Sequence, residues 1–501
     1  MTRGDENNVV LWLKRWGRRA DFSNEISGCK ALHIAAGLGK TNIMKELIKH
    51  GFDVNNVIDE RTPLHEATEG AHFEATRLLL HQDADPNIVN YNRQTPLVSA
   101  VGAGYTEIVA QLLANGADFN ILGPSNQTLL HMAAFRSYID IVRLFLEQPG
   151  IDVSRRDNGG YTPLMAAVEG PSELAAELLL ARSTDDEVQG LRTIKTWPTP
   201  LHVAARYGSA GIVRKLIARG AQVNARLGAY FDATPVHLAV RRGDLQVLEA
   251  VFEAEVEPNV LDRFGRTALF LAVEEGYSDL IPRLQRKGFD LDKGDIGEVR
   301  PLGIALRKGE FDMAKVLIEQ GADINAMSSQ GLTYIHMAVV DGKLPDLDFL
   351  IDHGASIDIR TLRGETALMF AAVRGDCDCM LRLIKAGANI DARGPDKFTA
   401  ICDAVQNGRQ EALQLLLDTG ADYHVQARGS NNLLHIAAMR DRVSIGKLLL
   451  KLRVSTTAKN GKGDTPLDIA KLQGHEDFVA FLENHMPEKQ EELVLRPSET
   501  F

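Results

Sequence analysis

Cysteine is scarce in this chain. Cys29, Cys377, Cys379 and Cys402 are the four that 501 residues contain. That is too few for a disulfide framework and is the usage of a reducing, intracellular compartment, cytoplasmic or nuclear. Apolar runs are short as well. None approaches the roughly 18 residues a helix needs to cross a bilayer, so no membrane span is expected. Positive charge is in deficit, with 56 Lys and Arg against 67 Asp and Glu for a net charge of −11, which disfavours direct nucleic-acid binding. Met1 to Arg19 places its apolar residues before its basic ones and has no cleavage site, unlike a secretory signal.

Catalytic and metal-binding patterns are missing too. Gly37-Leu38-Gly39-Lys40-Thr41 resembles a phosphate loop, but Ile34 stands where the pattern requires a glycine. Cys377-Asp378-Cys379 has no second pair and no histidines at zinc spacing. Lys14 to Arg19 is the densest basic run and reads as the wet face of a terminal helix, with Trp12 and Trp16 beneath it. A localisation signal is the other reading. Neither enzyme activity nor a cofactor is expected.

What the chain does have is repetition. Thr62-Pro63-Leu64-His65 returns as Thr199-Pro200-Leu201-His202, as Thr234-Pro235-Val236-His237 and, weakened, as Thr465-Pro466-Leu467-Asp468. The third position of the phrase recurs fourteen times, from Leu32 through Leu164, Leu201 and Val236 to Leu467. The last seven steps are all 33 residues. Within the third unit, Thr95-Pro96 suits a capped helix start. Ile108, Val109, Leu112 and Leu113 form one helical stripe, and Gly116 suits the left-handed position that ends a helix. Helix, turn, helix and polar loop make a unit too small to bury its own stripe, so neighbours must stack.

The period, the Thr-Pro-Leu-His-x-Ala opening and closes such as Gly321-Ala322-Asp323-Ile324-Asn325 resemble ankyrin repeats over roughly residues 9 to 485. The resemblance implies an all-α solenoid of antiparallel helix pairs joined by short projecting hairpin loops. It also implies an inner groove that binds proteins. The expected organisation is a capping half-repeat at 1–28, repeats one to five at 29–180, an irregular insertion loop at 181–198, repeats six to fourteen at 199–485 and a polar tail at 486–501. Both ends read as caps. The chain is expected to be a monomeric, non-enzymatic scaffold or adaptor with protein partners. Asn120, Asn224 and Asn325 resemble sites of asparagine hydroxylation in the family. The opening histidines are expected to tie neighbouring loops together.

In the family, the residues before the inter-helix glycine line the groove. Here that row carries Phe135-Arg136, Arg206-Tyr207 and Arg241-Arg242, with Tyr138 and Trp197 nearby. Aromatics and arginine are enriched at binding hot spots. The period also breaks here, with four extra residues between Leu164 and Leu201 and two more before Val236. The second insertion puts Tyr230 and Phe231 in a loop. These ten residues are the candidate partner-binding set, engaging acidic or aromatic groups. The alternative is a small-molecule or enzymatic pocket near repeats five to seven built from Asp185, Asp186, Glu187, Tyr230, Asp232 and His237. Repeats nine and twelve, with Gly303 and Cys402 where the histidine belongs, are expected to open most readily.

Overall fold

The computed structural model describes residues 26–190 and 197–485. Residues 1–25 of the expected cap, the tail at 486–501 and part of the expected insertion loop lie outside them. Among the described residues the fold is all-α, with short 3-10 turns and isolated bridges such as Leu227 to Ala233. These residues form two compact units, 26–275 with 286–289 and 276–285 with 290–485.

In both units the same local chemistry starts several of the helix pairs. Thr62 caps helix Pro63–Glu69 by accepting the His65 N–H at its hydroxyl. The imidazole returns the contact, because Nδ1 accepts the Thr62 N–H at 3.2 Å. An accepting Nδ1 leaves the ring proton on Nε2, which donates to the Gln94 carbonyl of the next repeat at 3.1 Å. One histidine thus completes its own capping box and ties down the next loop. His131, His202, His237 and His435 do the same on Tyr161, Ala225, Arg266 and Asp464.

Packing follows from this start. Helix Pro63–Glu69 lies against its own partner Phe73–Leu80 and against Pro96–Ala103 of the next repeat. In the other unit, Ala367–Arg374 packs on Cys377–Lys385 and on Ala400–Gln406. Ile108, Val109 and Leu112 are buried as the stripe requires, while Leu113 is half-buried at its edge. Full burial of such side chains stabilises by about 1.5–3 kcal/mol each. Gly104 and Gly116 end the two helices of that repeat with φ of 80° at each, a conformation that disfavours a Cβ. Two closing asparagines bridge repeats: Asn224 Oδ1 accepts the Glu257 N–H at 2.9 Å and its Nδ2 donates to the Glu255 carbonyl, and Asn325 Oδ1 accepts the Ser356 N–H.

The irregular stretch departs from the expected loop. Thr184 and Glu187 form a capping box that starts a short helix, Asp185–Gln189, which Gly190 ends in the left-handed conformation. The sequence Thr-Asp-Asp-Glu carries this signal, with acidic residues at the positive end of the helix. Arg219 of repeat six holds the segment from outside, on the Leu180 and Ser183 carbonyls and on Asp185. Val188 is fully buried beneath it.

Candidate partner-binding surface

The densest polar-aromatic cluster of the first unit runs over repeats five to eight. Arg206 closes helix Pro200–Tyr207. Its guanidinium lies 4.8 Å from the Tyr207 ring centroid and 4.3 Å from that of Tyr230, so two π-faces flank one cation. Tyr230 meets Phe231 at 5.8 Å, and Phe231 meets Phe264 at 5.1 Å. Arg266 lies 4.7 Å over Phe264 while paired with Asp262 and Glu274. Glu169 and Tyr161 are within electrostatic reach of Arg206. Burial pushes the Glu169 carboxyl up, against the pull of Arg206, and pushes the Tyr161 hydroxyl up to about 12.

Part of this surface stays open. Tyr207, Phe231 and Phe264 are 37%, 38% and 39% exposed. Phe231 and Asp232 both adopt left-handed backbone, at φ of 60° and 58°. That conformation costs about 1 kcal/mol or more at a residue with a Cβ. The Arg263 N–H holds the Phe231 carbonyl at 2.7 Å, keeping the tip in place.

The sequence-derived set is therefore only partly one site. Arg206, Tyr207, Tyr230 and Phe231 come together. Arg136 and Arg242 instead serve the scaffold, their guanidiniums donating to the Gly102 and Gly208 carbonyls of the preceding repeats at 3.0 and 2.5 Å. Arg242 also pairs with Asp244. Tyr138 lies flat on Gly104, where an added Cβ would sit 2.8 Å from its ring. Trp197 packs on Gly160 in the same way, beneath Arg156. Phe135 is half-exposed, and Arg241 is half-buried with no hydrogen bond or ion pair of its own. Phe264, Arg266 and Tyr161 escaped the sequence reading, and Glu169 stands in the groove row but outside the candidate set. Their signal was the 33-residue offset, which sets Phe264 close to the register of Phe231 on the next loop.

Models of ankyrin repeats match this chain over residues 2–328 and 335–427 in overlapping segments, and over 416–470. The chain belongs to the ankyrin-repeat family. Similar stretches occur in alpha-latrotoxin-Lt1a of Latrodectus tredecimguttatus, 33% identical over 134 residues, or 26% of this chain and 9% of that protein. Protein phosphatase 1 regulatory subunit 12A of Mus musculus is 39% identical over 94 residues, 18% of this chain and 9% of that protein. Rabankyrin-5 of Mus musculus is 31% identical over 127 residues, 25% and 11%. The chain thus spans about a tenth of the length of these relatives.

Within this ankyrin array three members of the alternative set, Asp185, Glu187 and His237, make structural contacts. Asp185 pairs with Arg219, Glu187 accepts the Thr184 N–H, and His237 accepts from Thr234 while held to the Arg266 carbonyl. The glycine run at 37–41 is the turn between two helices, and the His72 ring fills it, its Nε2–H donating to the Gly37 carbonyl at 3.0 Å. The Cys379 thiol is buried and pushed up to about 12 by burial and by Asp376, the state of a neutral packing group.

Proposed function

We propose that this ankyrin-repeat chain is a non-enzymatic scaffold or adaptor, and that a partner protein docks on the aromatic–arginine cluster of repeats five to eight. Ankyrin repeats are protein-interaction modules, and a relative named as a phosphatase regulatory subunit fits an adaptor role. The observation that carries the assignment is Arg206 between Tyr207 and Tyr230, beside the part-exposed Phe231 and Phe264. Rigid aromatics around a preorganised guanidinium have the composition of an interface hot spot. The strained backbone at Phe231 and Asp232 keeps a ring at the surface at a local cost, a pattern associated with functional loops. The partner groups that suit this surface are a carboxylate for the guanidinium and an apolar or aromatic side chain for the rings.

The test is affinity purification with mass spectrometry, comparing the wild-type chain with the combined Arg206→Ala, Tyr207→Ala, Tyr230→Ala and Phe264→Ala variant. Arg136 and Arg242 are left intact because they hold the scaffold. Partners present with the wild type and absent with the variant, at matched thermal unfolding, support the assignment. An unchanged partner list removes it.

A further inference from the structure

The second unit contains a cavity of about 450 Å³ between repeats nine and ten. Three departures from the repeat phrase meet at it. Arg300 replaces the capping threonine, and helix Pro301–Lys308 starts with no side-chain cap. Gly303 replaces the histidine of the capping box. Tyr334 stands where the next phrase has proline. They are coupled sterically: a Cβ on Gly303 would sit 3.2 Å from the Tyr334 ring, so the ring occupies room that the histidine vacated.

Compensation alone does not explain the result. The exchange removes a cap beside an open cavity and buries Tyr334 to 7% exposure with a hydroxyl that has no hydrogen-bond partner. Each of these is locally unfavourable. Local rules broken together at one place mark a functional site more often than a neutral one. The walls carry two arginines beside an apolar face. Arg300 and Arg307 line the cavity with no hydrogen bond or ion pair to another side chain. Leu306, Leu332 and Met337 give an apolar wall. Lys343 lines it too, 3.9 Å from Asp346, with Glu298 and Asp341 on the same lining, and Arg300 is within electrostatic reach of Asp292. Free guanidiniums select a planar or tetrahedral anion, and the volume is that of a small-molecule site.

We propose that this cavity binds a small organic anion, an apolar body carrying one carboxylate or phosphate, with Arg300 and Arg307 holding the charged group. The site is separate from the partner surface of the first unit and does not rest on that assignment.

The test uses the full chain and three probes by calorimetry and ligand-observed NMR: 3-phenylpropionate, phenyl phosphate and the neutral 3-phenylpropanamide. The expected result is saturable one-site binding of at least one anion, with Kd on the order of 1 mM for probes of this size. The amide should bind about tenfold or more weakly. Which anion binds tighter assigns carboxylate or phosphate. Gly303→His should abolish binding by filling the cavity, and Arg300→Ala with Arg307→Ala should weaken it about tenfold or more. If Gly303→His misfolds, the arginine variant decides, at matched thermal unfolding, since neither guanidinium makes a hydrogen bond or ion pair within the fold. No anion binding, equal binding of the amide, or unchanged binding in the arginine variant overturns the proposal.

Discussion

Acidification should loosen repeats six and seven while tightening repeat twelve. His202 and His237 are buried and pushed down to about 4, chiefly by burial, which outweighs their hydrogen bonds to the Ala225 and Arg266 carbonyls. Both rings accept a threonine N–H at Nδ1, so adding a proton there destroys a capping box. In the unfolded chain they return to the ordinary 6.5. Their contribution is therefore complete above pH 6.5 and is lost as the pH falls toward 4. Between pH 7.5 and 5.5, linkage gives a loss of about 1.4 kcal/mol per histidine, about 3 kcal/mol for the pair.

Repeat twelve has Cys402 at the histidine position, and burial pushes that thiol up, away from the acid range. Its neighbour Asp403 is pushed up to about 7 by burial and then by Glu365. An acid raised in the folded state contributes below its folded value and loses that contribution as the pH rises through 7. The same acidification should stabilise this repeat by about 2 kcal/mol. Hydrogen exchange by mass spectrometry at both pH values, corrected for intrinsic rates, reads the two effects separately. Helices Pro200–Tyr207 and Pro235–Arg242 should exchange faster relative to Ala400–Gln406 at pH 5.5. Equal protection of repeats six and seven at the two pH values would refute the argument.

Tyr334→Phe removes a buried hydroxyl with no partner and should raise stability by about 1 kcal/mol in denaturant titration; a comparable loss would mean that the hydroxyl is satisfied. Asn224→Ala breaks two hydrogen bonds between neighbouring repeats and should cost about 1–2 kcal/mol, seen as faster exchange at residues 255–257. Arg219→Ala should release helix Asp185–Gln189 and speed its exchange while leaving repeats two and three unchanged. Protection that persists there would show that Val188 holds the helix alone.

Several features were legible before any coordinates. Thr, Pro, Leu and His four in a row carry a cap, a first-turn proline, a core side chain and a tie to the next loop, all within reach of one another in sequence. The pinned helix at Asp185–Gln189 was legible in principle through its capping box, but the four extra residues there read as an irregular loop instead. The site was half legible. Arg206 and Arg242 both stand in the last turn of their first helices, one position apart in register; one is flanked by tyrosines and the other donates to a carbonyl of the preceding repeat. Both outcomes are compatible with an arginine at a helix end.

The sequence by itself therefore determined the repeat, its caps and the burial of its stripes, because those depend on residues near in the chain and on a period that copies the same contacts. The tertiary structure decided which arginines are free, that Phe231 lies against Phe264, and that Gly303, Arg300 and Tyr334 share one cavity. Those facts depend on side chains about 30 residues apart competing for the same space, and a long guanidinium can reach several acceptors that only the stacked neighbour supplies.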